Sequence, residues 1–323
     1  DGVFESAVRH GVHDLLFGEV RAAGVPLRPD LELRLRRQTF LQRARLQPLH
    51  AALAELLDAV ARDGVPAAVL KGPVLAERLY ADPMVRPSVD VDLLVAEQDL
   101  DRAVTAIAPL GYFSGNSTAT ERFNRTRHYH LSFLHPDREH IVEIHFHALR
   151  AFGAVVPAAE LLSRAVPYPS AYGPTRVLAP EDELIYLAVH AAKHAAAHFK
   201  WLYDLKLFLR RHQELDWDAV RSRAREMGVD RALAFALADV DRIVGGVPAG
   251  TARSSHLAEA LRGVCEDAAE RGPAATLYSL AYAATLADRW TASASVLGRG
   301  LSRIARRRAQ RYFPSVVPEH WSG

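Results

Sequence analysis

A chain of 323 residues, 49% of them hydrophobic, can bury a sizeable core as one large or two ordinary domains. Its 40 Lys+Arg against 38 Asp+Glu leave a formal net charge of +2 and a pI of 8.7, a basic excess too small for a nucleic-acid-binding tail protein. The single cysteine, Cys265, excludes an internal disulfide and a four-cysteine metal site and fits a reducing, cytoplasmic compartment.

The opening Asp1-Gly2-Val3-Phe4-Glu5 lacks the charged-then-apolar order of a signal peptide, and no apolar run reaches the roughly 18 residues of a membrane span. A soluble protein is expected, and the absence of an initiating methionine reads as a trimmed chain. From Glu5 to about Arg62 the spacing is helical, with Leu15, Leu16 and Val20 in one segment and Leu49, Leu53, Leu56, Leu57 and Val60 in another. Gly24 to Pro29 reads as the break between them, and residues 1–62 as an N-terminal helical cap.

Val65 to Leu70 is a short apolar run, Lys71-Gly72 breaks it, and Pro73 to Tyr80 has the pattern of a helix with proline in its first turn. A turn at a helix N-terminus offers N–H groups to an anion; glycine permits close backbone approach and Lys71 adds charge, so phosphate is the natural ligand. Val89 to Val95 reads as a strand whose period of two puts Asp90 and Asp92 on one face. Two bare carboxylates side by side repel, and a divalent cation removes the conflict. Mg²⁺ takes carboxylate oxygens together with substrate phosphates, so the turn and the Asp-x-Asp belong in one site, with Mn²⁺ as the alternative ion.

Asp99 to Leu110 reads as a helix, Gly111-Tyr112-Phe113 as the return to a sheet, and Ser114 to Thr120 as polar and turn-like. His128 to Leu134 and Ile141 to His147 alternate as the strands of a hairpin, with His135 to Arg138 as the turn. In the second strand Glu143, His145 and His147 share one face, and Val142, Ile144 and Phe146 the other. The histidines 128, 130, 140, 145 and 147 invite a Zn²⁺ or Mn²⁺ site, but phosphate chemistry prefers hard oxygen ligands. Contact with the phosphate or sugar of a ligand, or plain hydrogen bonding, is the preferred reading for His128, His130 and His145.

Residues 63–156 thus read as the core that holds the candidate catalytic residues, and the Pro/Gly-rich residues 157–180 as a linker to a helical domain, 181–323. Glu181-Asp182-Glu183 open a helix that carries His190 and His194 four residues apart, and Lys200 to Leu209 continue the helical pattern. Alanine- and leucine-rich helices over Ala219–Met227, Arg231–Val244, Leu257–Glu270 and Leu277–Arg289 predict a bundle. An arginine run, Arg299, Arg303, Arg306, Arg307, Arg308 and Arg311, reads first as a solvated helix face and otherwise as a seat for RNA, anionic lipid or polyphosphate.

Taken in order, Leu70-Lys71-Gly72, Tyr80, Arg86, Asp90-x-Asp92 and Gly111-Tyr112 resemble the DNA polymerase beta-like nucleotidyltransferase superfamily. More narrowly they resemble a bacterial family with Leu-Lys-Gly in place of the superfamily's usual Gly-Ser turn, over the chain up to about Asp204. The resemblance implies an α+β fold with a polymerase beta-like sheet, N-terminal helices and a C-terminal helical bundle. It also implies Glu143 as the third metal-binding carboxylate, Arg86 and Lys71-Gly72 on the nucleotide with His130 and His145, and His194, Lys200 and Asp204 on the substrate side. The implied reaction moves a nucleoside monophosphate from an NTP to a small-molecule or protein acceptor, using Mg²⁺ at Asp90, Asp92 and Glu143. The alternatives are an RNA-directed transferase and a non-catalytic nucleotide-binding or antitoxin-like module. No Gly-x-x-x-x-Gly-Lys-Ser/Thr loop is present, which disfavours a P-loop enzyme.

Overall fold

The computed structural model describes residues 2–195, 198–252, 257–261, 272–289 and 291–298. The arginine run and most of the helix expected over Leu257–Glu270 lie outside the described residues. Helices α1 (Gly2–Arg9) and α2 (His13–Ala22) precede α3 (Pro29–Arg62), a 34-residue helix that opens on its proline. The expected break falls between α2 and α3, where Gly24 takes φ 72°.

Then follow β1 (Ala67–Val69), α4 (Pro73–Leu79), β2 (Asp90–Val95), α5 (Leu100–Ile107), β3 (Phe113–Ser114), α6 (Thr118–Arg127), β4 (His130–His135) and β5 (Arg138–His145). The five strands form one sheet in the order β1-β2-β5-β4-β3. Only β2 and β5 run parallel, so the chain between them has to cross over, and it does so through α5, β3, α6 and β4. Ser114 to Thr120, expected as a turn, runs into α6, because the Ser117 hydroxyl accepts the Thr120 N–H at 3.2 Å and caps the helix.

Strand alternation gives the sheet two buried faces. Val91, Leu93, Leu131, Phe133, Val142 and Ile144 pack with Leu49, Leu53, Leu56, Leu57 and Val60 of α3 and with α5, which accounts for the apolar series read from the sequence. Ala68, Leu70 and Leu94 face the other way, into a second core made with the C-terminal helices α8 (Pro180–Lys193), α9 (Phe199–Arg211), α10 (Trp217–Met227) and α11 (Asp230–Ile243). A further helix, α12 (Gly272–Thr285), adds Tyr282 to that core. The result is an α+β architecture with a central mixed sheet between N-terminal and C-terminal helices, consistent with a polymerase beta-like nucleotidyltransferase fold.

Two readings are corrected. The strand expected over Ile141–His147 ends at His145: the N–H groups of Phe146 and His147 both donate to the Tyr129 carbonyl, and His147 starts a separate hairpin of β6 (His147–Ala151) and β7 (Ala154–Pro157). His147 therefore leaves the face of Glu143 and His145. Residues 157–180, expected as a linker, hold α7 (Ala158–Arg164) and the ribbon β8 (Val166–Ser170) and β9 (Gly173–Val177). A two-stranded ribbon has open edges on both sides, so Pro167, Pro169 and Pro174 fit in it without breaking a ladder. Among the described residues no helix is long and apolar enough to cross a membrane.

Candidate active site

The site is a product of register. In the parallel pair Asp92 lies opposite Glu143, and in the antiparallel pair His130 lies opposite His145. With Asp90 two residues before Asp92 and His145 two after Glu143, alternation brings all five side chains to the sheet face turned toward α8. Lys71 reaches the same place from the other side, because β1 ends at Val69 and Leu70 N–H still donates to the Asp92 carbonyl at 3.2 Å. Gly72 then turns the chain into α4 at φ 72°, ψ −136°, a conformation that L side chains rarely adopt.

Charges alternate along the row. Lys71 Nζ lies 3.1 Å from Asp90 Oδ2 and 2.5 Å from Asp92 Oδ2. Asp92 Oδ1 is 3.0 Å from His145 Nε2, which is 3.3 Å from Glu143 Oε2, and Glu143 Oε1 is 3.5 Å from His130 Nε2. A cleft of about 160 Å³ opens over this row, closed on the far side by Tyr186, Val189, His190 and Lys193, successive turns of one side of α8, and by His194, which caps that helix. Lys193 Nζ donates to the Tyr129 hydroxyl at 2.6 Å and points the helix's cation toward the carboxylates.

Burial amplifies each of these charges. Burial alone would raise the Asp92 pKa, yet Lys71 and His145 outweigh it and hold this carboxylate well below its usual range. Asp90 moves the other way, raised by burial and then by the charge of Asp92. At Glu143 burial is again opposed, here by the hydrogen bond from His145, and the pKa falls. Lys71 and His145 are both raised, the carboxylates beside them prevailing over burial. Burial lowers Lys193 to about 8, and lowers His194 to about 4 with help from Lys193. The Tyr129 hydroxyl is pushed up to about 12 by burial and by Glu143.

The structure thus brings together Lys71, Asp90, Asp92, Glu143, His130, His145 and His194 around one cleft. Arg86, Lys200 and Asp204 are placed elsewhere. Arg86 is buried against Asp204, donating from Nε and Nη2 at 2.8 Å each, and Tyr80 adds a third hydrogen bond to the same carboxylate at 2.7 Å. Lys200 Nζ donates to the Pro87 carbonyl at 3.1 Å. These residues clamp the segment leading into β2 onto α9, so they position Asp90 without lining the cleft. His140, one of the histidines weighed for a metal, is taken by the Tyr112 hydroxyl at 2.7 Å.

Tyr129 and Lys193 were not singled out from the sequence, and His190 was marked there as the helical partner of His194 without a place in the site. The spacing of Tyr186, His190 and His194, each four residues apart, is the signal that marks one stripe of α8, and Lys193 lies beside it. The donor set fits a divalent cation: one ligand oxygen each from Asp90, Asp92 and Glu143 lies within 4.8 Å of the others, and two of these carboxylates already gather around the ammonium of Lys71. Residues 1–245 match a protein family described as "Uncharacterised nucleotidyltransferase". No curated protein matches the chain.

Proposed function

The chain belongs to this family of uncharacterised nucleotidyltransferases, and we propose that it moves a nucleoside monophosphate from an NTP, ATP among the candidates, onto a small-molecule or protein acceptor with release of pyrophosphate. The observation that carries this reading is the convergence of Asp90, Asp92 and Glu143 in one cleft with cations on two sides. Mg²⁺ or Mn²⁺ held by these three carboxylates would neutralise the triphosphate and lower the pKa of the acceptor hydroxyl. Lys193, facing the carboxylates from α8, would bind phosphate oxygens, and Lys71 would exchange part of its pairing with Asp90 and Asp92 for the same task. His194, at the exposed end of the stripe, is assigned to the acceptor side. Arg86, Lys200 and Asp204 act as positioning residues in this reading.

The Leu70-Lys71-Gly72 turn supports a bacterial subgroup of the Leu-Lys-Gly type, and the single cysteine supports a cytoplasmic setting. Calorimetry with each NTP, with and without Mg²⁺, tests the assignment. Metal-enhanced binding of an NTP to the full chain is expected, and its loss in Asp90→Asn combined with Asp92→Asn. Binding that ignores both the metal and the double substitution would overturn the reading. Pyrophosphate release screened against hydroxyl-bearing acceptors then identifies the second substrate.

A further inference from the structure

We infer that His130, Glu143 and His145 form a second cation seat beside the three carboxylates, sharing Glu143 with them, and that this seat selects a transition-metal ion such as Mn²⁺ or Zn²⁺ over Mg²⁺. This rests on the reading that Asp90, Asp92 and Glu143 hold a divalent ion, and extends it to which ion is chosen.

The geometry starts from the β4–β5 register, which sets His130 directly opposite His145 with Glu143 two residues before His145 on the same face. One ligand atom from each of the three lies within 4.8 Å of the others. Both imidazoles turn Nε2 toward Glu143, at 3.5 Å and 3.3 Å, and each meets a different carboxylate oxygen. Two donors about 2.1 Å from an ion and at right angles to each other stand about 3 Å apart, so small movements suffice to close these separations around a metal.

A second observation comes from the other ring nitrogens. Nδ1 of His130 and Nδ1 of His145 are both buried without a hydrogen-bond partner, and His145 as a whole is 3% exposed. Two adjacent imidazoles, one of them wholly buried, are thus held with only their Nε2 edges engaged; both edges meet Glu143, and that of His145 also meets Asp92 at 3.0 Å. Metal-bound histidines usually donate the remote N–H to a second group that fixes them. With Nε2 of each ring turned to Glu143, Nδ1 is the nitrogen left for such a group when an ion sits at the seat.

The choice of ion follows from the donors. Two nitrogens and a carboxylate are the donor types of many Zn²⁺ sites and are acceptable to Mn²⁺, whereas Mg²⁺ favours oxygen and keeps its waters. Lys71 pairs with Asp90 and Asp92, which leaves Glu143 and the two imidazoles as the end of the row without a lysine in the ion pairing.

Mn²⁺ alone, added to the full chain, provides the probe. Pulsed electron paramagnetic resonance is expected to detect nitrogen coupling from coordinated imidazole, and Zn²⁺ is expected to displace that Mn²⁺ where equimolar Mg²⁺ does not. His130→Ala, with folding checked by thermal unfolding, should lose part of the coupling and weaken Mn²⁺ binding. Asp90→Asn with Asp92→Asn should retain nitrogen-coupled Mn²⁺ while losing the NTP effect, which separates the two seats. Wild-type protein that binds no Mn²⁺, or binds it without nitrogen coupling, overturns the inference without any variant having to fold. Nitrogen coupling without NTP binding or pyrophosphate release would instead sustain the seat and reject the transferase reading.

Discussion

Lys193 owes its chemistry to its surroundings. Burial lowers its pKa from 10.5 to about 8, with Glu143 opposing the shift and Lys71 assisting it, while the Tyr129 hydroxyl takes its hydrogen bond. The folded chain releases this proton more readily than the unfolded one. Between about pH 8 and 10.5 this group therefore makes the fold more stable as pH rises, since only the unfolded chain still binds the proton. Affinity for a triphosphate runs the opposite way, because the bound phosphates want the charge. NTP binding is expected to weaken from pH 7 to pH 9, and Lys193→Met to weaken it about tenfold at pH 7 while flattening that dependence, consistent with one lost charge-assisted hydrogen bond. Calorimetric titrations across this range provide the check, and an unchanged pH slope in the variant would remove Lys193 from the phosphate site.

The elements differ in how plainly their sequence announces them. Asp90 and Asp92 were legible as a pair because strand alternation is local: a residue's face follows from its neighbours two positions away. Glu143 was added to them by the family resemblance, its place opposite Asp92 being a matter of the β2–β5 register. The partner of His145 was not legible, since its pairing with His130 depends on the register between β4 and β5, which a period of two leaves open. His147 was misplaced for a related reason. Nothing in the alternation shows that two successive N–H groups will share the Tyr129 carbonyl and end the strand. In the turn into α4 glycine was read as permitting close backbone approach, and the backbone gives a different reason for it, a φ of 72°. A Cβ at Gly72 would stand 3.6 Å from the Asp90 carbonyl oxygen and 3.8 Å from Ser88 Oγ, ordinary contact distances, so the demand is conformational rather than steric. Gly72→Ala is expected to cost on the order of 1–3 kcal/mol. A denaturant titration of the purified variant measures it, and a cost near zero would mean that the turn relaxes easily.

At the scale of the whole molecule, the two halves are joined by buried ion pairs that no local pattern reveals. Arg86 and Asp204 are 118 residues apart, and each is buried by the other's half. The acidic start of α8, legible only as a favourable helix N-terminus, turns out to be cross-linked to three elements. Glu183 meets Arg78 of α4 at 2.7 Å, Asp182 meets Arg164 of α7 at 2.7 Å, and Glu181 meets Arg223 of α10 at 3.3 Å. Breaking a buried pair by removing one partner strands the other charge, so Arg86→Ala is expected to lower unfolding stability by about 3–5 kcal/mol. Arg86→Lys should recover only part of that, because a single ammonium cannot reproduce the two-point contact with Asp204. Thermal unfolding of both variants tests the pair, and equal stability of Arg86→Ala and wild type would make the clamp dispensable.

The family match ends at residue 245, yet Tyr282 of α12 donates its hydroxyl to the Ala192 carbonyl at 2.8 Å, one residue before Lys193. A segment beyond the region that defines the family thus grips the last turn of the helix that carries the cleft's cation. The tie between this segment and Lys193 therefore runs through the backbone of Ala192. None of the described residues beyond 245 lines the cleft, so this segment bears on the cleft's cation without adding a side chain beside it.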